Sequence, residues 1–217
     1  MNPDVRALER NSLTGVFYVA CLWITRLVYV NTLWILFTLL GICVLGFAPA
    51  TAALFSVIRK WILGQQDFAV WRTFWLAYKR EFMKANVLGW GYGLFIVLLY
   101  NNIQYYNTQS TLMTHFLWIV SLFMLMLSAV SLFYLFPVLV HYQLKIWQYV
   151  RSAMAVSLAF PLHTLLMVAG LLVFIVIFTW LPGLLVVFSM SVPAVWIMKV
   201  AAHAFQKVEQ QQAQDHP

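Results

Sequence analysis

The sequence predicts an all-α fold, a polytopic membrane helix bundle of six spans in three hairpins joined by two amphipathic inner-face connectors. Three observations predict it. The chain of 217 residues is 64% hydrophobic and 9% charged, where a soluble domain carries about 25% charged residues. Its 13 Lys+Arg and 6 Asp+Glu gather in the N-terminal arm, from Arg59 to Lys84, from Lys145 to Arg151 and towards the C-terminus, with Arg26 beside the first span. The turns between the paired apolar segments carry no charge at all. The excess of Lys and Arg on cytoplasmic loops then places both termini inside.

A helix needs about 20 apolar residues to cross the hydrocarbon core. The first span is 27–45, interrupted by Asn31, Thr32 and Thr38. The run Val16 to Thr25 is too short to add a span, and either lies at the interface or extends the first helix inward. Gly46-Phe47-Ala48-Pro49 reads as a turn with a proline opening the second span, 49–63. Its helical part, Ala50 to Leu63, offers about 14 residues, or roughly 21 Å, so a five-span alternative makes it a cytosolic helix. That alternative leaves Arg6, Arg10 and Arg26 outside, and the charge distribution favours six.

Gly64 ends the second helix, and Asp67 is the expected N-cap of the next. Phe68, Trp71, Trp75, Tyr78 and Phe82 recur at helical spacing, with Arg72, Lys79, Arg80 and Lys84 around much of the rest. This is a basic, aromatic-faced connector over 67–85 at the inner surface. It leads through Asn86 into a third span, 87–106. A polar turn over Asn107 to Thr111 precedes the fourth span, 112–140. A second connector, 141–162, carries the apolar stripe Leu144, Trp147, Val150 or Arg151, Met154 and Leu158, and stops at Phe160-Pro161. The last hairpin comprises spans 165–181 and 184–203 around Leu181-Pro182-Gly183. Together 1–205 form one membrane domain, and the polar Gln-rich tail 206–217 is expected to fray.

The composition also excludes. A net charge of +7 would suggest nucleic acid in a soluble protein, but here the cations flank apolar segments and face lipid headgroups first. No nucleic-acid partner is expected. Cys21 and Cys43 are too far apart on their helix to bridge. Without a CxxC or a clustered Cys/His set, no metal and no cofactor is expected. The first residues look like an uncleaved segment rather than a signal peptide. No Asp or Glu falls inside a span, and no Ser/His, HExxH or paired-Asp arrangement occurs there, so no catalytic residue is assigned and the chain reads as a non-enzyme.

Several side chains stand out nonetheless. Arg26, Asn31 and Asn86 are candidate intramembrane polar contacts. For Arg26 the plain account is snorkelling to the inner interface, and the sharper one is pairing with a partner such as Glu81. Asn31 and Asn86 read first as hydrogen-bonding glue between helices. Arg72, Lys79, Arg80 and Lys84 are the candidate partner or lipid contacts, with lipid headgroups as the bland reading. His141 and His163 bracket the second connector and read as ordinary interfacial residues. Asn101, Asn102, Gln104, Tyr105 and Tyr106 form an outer polar-aromatic patch, interfacial before carbohydrate-binding. Ser128, Ser131, Gly89 and Gly170 suit close helix packing.

The order Phe47-Ala48-Pro49-Ala50-Thr51-Ala52-Ala53-Leu54, Arg59-Lys60-Trp61, Gly64, Asp67, Phe74-Trp75, Tyr78-Lys79, Glu81-Phe82, Asn86 and Gly89 resembles the YesL family of uncharacterised bacterial membrane proteins. The specific motif covers about one fifth of the chain, and Lys145 to Pro161 resembles the family more weakly. The resemblance implies a bacterial plasma-membrane protein with an accessory role in sugar import or sensing, and supplies no activity. Joined to the basic connector, it suggests an accessory or regulatory component linked to carbohydrate uptake, its inner face docking a cytosolic or membrane protein. The alternative is a transporter or permease subunit moving a sugar or other small solute, enclosing a path as a homodimer, the simplest homo-oligomer.

Overall fold

The computed structural model describes residues 13–108 and 111–215. The N-terminal arm with Arg6 and Arg10, two residues of the predicted turn over Asn107 to Thr111, and the last two residues of the tail lie outside the described residues. Within them the chain folds into eight helices and no strands. They are α1 (Leu13–Leu40), α2 (Val44–Ile62), α3 (Val70–Asn107), α4 (Leu112–His141), α5 (Ile146–Ala159), α6 (Pro161–Trp180), α7 (Pro182–Phe188) and α8 (Ser191–Asp215). By length and composition α1, α3, α4 and α6 can each cross a membrane, and the bent pair α7–α8 makes a fifth candidate. The chain is a helical membrane protein.

Helices α1 and α2 form an antiparallel hairpin, since Trp23 meets Trp61 while Trp34 meets Phe47. The reversal lies at Gly41-Ile42-Cys43, not at the predicted Gly46-Phe47-Ala48-Pro49. Ile42 and Cys43 take positive φ, 58° and 56°, Cys43 as the centre of a γ-turn closed by Val44 N–H on Ile42 O, while Pro49 stands inside α2. Gly46 instead serves close approach, because a Cβ on Gly41 would run into its backbone. At its other end α2 closes as a Schellman motif, with Gln65 N–H donating to Lys60 O at 3.0 Å and Gly64 N–H to Trp61 O at 3.1 Å. Gly64, at φ +82°, supplies the left-handed residue that this motif requires.

Helix α2 has 19 residues, roughly 28 Å at the usual rise per residue, longer than its apolar run alone implied. Ala48 through Phe55 are buried without a break. A helix buried on consecutive residues is covered on every face, and α2 packs against α1, α3, α4 and α8. Its small side chains let those neighbours approach closely. Gly89 of α3 shows this, as a Cβ there would stand 3.0 Å from the Ala48 Cβ.

Helix α3 runs 38 residues without interruption, so the first connector and the third span are one helix with no break at Asn86. No Gly or Pro lies between Asp67 and Gly89 to stop it. Asp67 does not cap it either, because the helix begins after Ala69, whose side chain makes no capping bond. At roughly 57 Å, α3 exceeds the hydrocarbon thickness of about 30 Å. All its charges lie between Arg72 and Lys84, in its N-terminal half.

In the second connector α5 buries Tyr149, Ala153 and Val156. The predicted apolar stripe is therefore rotated, with Trp147 78% and Leu158 62% exposed. The last span is not continuous. α7 and α8 meet at a bend of 63°, and α8 continues through Asp215, taking in most of the tail expected to fray.

Candidate functional site

The C-terminal ends of α2 and α4, the N-terminal half of α3 and the start of α5 enclose a cavity of about 390 Å³, lined by Arg59, Arg80, Glu81, Lys84, His141 and Tyr149, among others. Each helix contributes for a local reason. Arg59 sits in the last turn of α2, where a cation complements the helix dipole. Arg80 and Lys84 are four residues apart on α3 and so share a face. His141 ends α4. Tyr149 is fixed by its hydroxyl, which accepts from Leu144 N–H at 3.0 Å and donates to Tyr142 O at 3.2 Å.

Two polar contacts organise the wall. Arg59 Nε donates to His141 Nδ1 at 3.3 Å, which ties α2 to α4 and makes that ring nitrogen an acceptor. Arg80 Nε donates to Glu81 Oε1 at 2.6 Å, the Arg80 side chain being 65% exposed and that of Glu81 5%. Glu81 Oε2 is buried with no hydrogen-bond partner. A buried carboxylate with one oxygen unsatisfied is costly, which makes Glu81 the most unusual group in the wall. A neighbouring cavity of about 410 Å³ shares Arg59, Arg80 and Val140 and adds Lys60 and Thr73. Lys60 Nζ donates to Thr73 Oγ1 at 3.5 Å across the α2–α3 contact.

The four cations of the basic connector thus separate. Arg80 and Lys84 face the cavity, whereas Arg72 and Lys79 are exposed elsewhere on α3. Lys79 Nζ lies 4.2 Å from the centre of the Trp75 ring, a cation–π contact. Trp75 in turn packs on Phe37 together with Trp71 and Tyr78.

The three intramembrane candidates take different places. Arg26 lies over Trp23 and Trp61, 6.0 and 5.9 Å from their ring centres. Glu81, weighed as its partner, binds Arg80 instead. Asn31 is 1% exposed and spans the α7–α8 break. Its Oδ1 accepts from Met190 N–H at 3.1 Å and Ser191 N–H at 3.2 Å, while its Nδ2 donates to Val186 O at 3.1 Å. One side chain therefore satisfies three peptide groups that the bend releases. Asn86 is buried, and its Oδ1 has no hydrogen-bond partner.

Among the packing candidates, Ser131 bonds the Tyr92 hydroxyl between α3 and α4. A Cβ on Gly170 would overlap the Trp196 indole. Asn101, Asn102, Gln104 and Tyr105 are exposed on α3, and His163 rests its ring on Phe160. Cys21 and Cys43 are free thiols.

Sequence reasoning did not assemble Arg59, Glu81, Lys84 and His141 into one site. The signal available was a cation at the end of α2 and the only acidic residue of α3, but their meeting depends on how three helices cross.

Comparison with known proteins gives relatives without an assigned activity. The family described as "Protein of unknown function, DUF624" matches residues 27–103. The chain is 38% identical to the uncharacterized protein YteU of Bacillus subtilis, covering 94% of this chain and 91% of YteU. It is 33% identical to YesV of the same organism, over 94% of this chain and 99% of YesV. It is 32% identical to YesL, over 90% of this chain and 92% of YesL. No solved structure matches it.

Proposed function

The chain belongs to the uncharacterised YesL-like family, described as DUF624, and on that premise we propose that it is a non-enzymatic accessory or regulatory protein of the bacterial plasma membrane. It passes the membrane six times in three hairpins, with both termini and the basic inner face in the cytoplasm. α2 is the crossing that composition alone does not count, and its burial within the bundle supports that role. The inner face docks a cytosolic protein partner, with membrane lipids and a second copy of the chain as further contacts. The link to carbohydrate uptake rests on the family resemblance.

The observation that carries this reading is the exposed ridge of Trp71, Arg72, Trp75 and Lys79 on the inner part of α3. Aromatic rings beside exposed cations are the composition of a binding surface, and charge there steers an acidic partner. The test is affinity purification from native membranes of the wild type and of Arg72→Glu/Lys79→Glu. The wild type should retain a stoichiometric partner that the double variant loses. A chain recovered alone in both cases would contradict the proposal.

The bend between α7 and α8 favours the alternative, a transporter or permease subunit, because broken spans often form substrate sites. Here, however, Asn31 already bonds the Met190 and Ser191 N–H groups and the Val186 carbonyl at the break, which leaves fewer of its peptide groups for a solute. Sugar flux in proteoliposomes would support the transporter reading.

A further inference from the structure

We propose that the cavity between α2, α3, α4 and α5 binds a phosphate ester that carries free hydroxyl groups. Charge supplies the first argument. Among the described residues of the wall, Arg59, Arg80 and Lys84 set three positive groups against the one carboxylate of Glu81. Guanidinium and ammonium groups converging on one space match phosphate oxygens, which accept several charge-assisted hydrogen bonds at once. Arg59 is already oriented by its Nε bond to His141, so its terminal N–H groups are left for a ligand.

Glu81 supplies the second, independent argument. Its side chain is 5% exposed, it lines the cavity, and its Oε2 has no donor. A carboxylate beside a phosphate site repels bare phosphate but accepts from O–H groups. The wall therefore selects an ester whose alcohol part bears hydroxyls over an ester without them. The volume, about 390 Å³, suits a small ligand or a headgroup. Because the cavity lies at the inner end of the spans, this chemistry can reach it from an anionic lipid such as phosphatidylglycerol or from a soluble polyol phosphate. Arg72 and Lys79 are not part of the wall, so the proposal stands apart from the docking surface.

The test uses the purified full chain in detergent and two pairs of probes, read by titration calorimetry. Phosphatidylglycerol is compared with phosphatidylethanol, which has the same phosphodiester charge and no hydroxyl. Glycerol 3-phosphate is compared with methyl phosphate. In one pair the hydroxyl-bearing probe should bind roughly tenfold more tightly, the effect of one charge-assisted hydrogen bond. The pair that responds identifies the source, lipid or soluble. Lys84→Gln and Arg59→Gln should each weaken that binding by about tenfold, while Arg72→Gln leaves it unchanged. Glu81→Gln should tighten binding of the hydroxyl-free probe, because the repelling charge is gone, and so narrow the preference within the pair. Lys84 is only half-buried, so its variant carries the test should Glu81→Gln fail to fold. Equal binding within both pairs, no binding in either, or a Lys84→Gln protein that binds like wild type would overturn the proposal.

Discussion

Helices α2 and α6 have nearly the same length, 19 and 20 residues, yet opposite surroundings. α2 is rich in Ala, Gly, Pro and Thr, carries Arg59 and Lys60, and is buried without a break from Ala48 to Phe55. α6 is the most apolar of the four unbroken candidate spans, and of its residues only Thr164 and Met167 are buried. In water this relation would be reversed. In a bilayer the outer faces meet lipid, so hydropathy measures exposure to lipid, and the centre of the bundle is held by close packing of small residues. A helix that scores weakly as a span can therefore be the one around which the others assemble.

The largest expected effect falls on α2. Ala53→Leu adds three carbons at a site that is 0% exposed, and overpacking of this kind costs about 1–3 kcal/mol. A clear fall in Tm in detergent checks it. An unchanged Tm would mean that α2 is more loosely surrounded than its contacts indicate. Asn31→Ala comes next, since it strips partners from the Met190 and Ser191 N–H groups at the α7–α8 bend. A loss of about 1–3 kcal/mol is expected if those groups stay unpaired. Faster hydrogen exchange at Met190 and Ser191 would localise it.

Tyr92→Phe removes one α3–α4 hydrogen bond and should cost about 0.6 kcal/mol, the usual worth of such a bond within a membrane. The smallest effect belongs to α6. Ile175→Ala, at a site 60% exposed, should change stability by less than about 0.5 kcal/mol. Gly170→Ala sharpens the contrast, because on the same helix it would collide with Trp196 and should behave like a substitution in α2.

The helical class and the membrane character were legible in the sequence, because long uncharged apolar runs admit few alternatives. The range of α4 was legible to within a residue, as was the junction at Phe160-Pro161, where proline forces a restart. The first turn was not. Gly46 and Pro49 imitate a turn signal, while the reversal uses Ile42 and Cys43 in a conformation that neither residue advertises. The α7–α8 bend was hidden because Asn31, 155 residues from Val186 in sequence, stabilises it. The cavity was partly legible. Arg80 and Lys84 carried the right spacing, but Arg59, Glu81 and His141 join them only through the crossing of α2, α3 and α4.

The central claim is that α2, despite its modest hydropathy, crosses the membrane at the heart of the bundle. It is tested most directly by labelling intact cells with an impermeant maleimide. The native thiol of Cys43, exposed in the α1–α2 turn, serves as reporter in a Cys21→Ala background. A second chain carries Gln65→Cys, just past the end of α2, with both native cysteines replaced by alanine. Cys43 should label from outside, and the thiol at position 65 only after permeabilisation. Labelling of both from the same side would contradict the claim and turn α2 into a helix that does not cross.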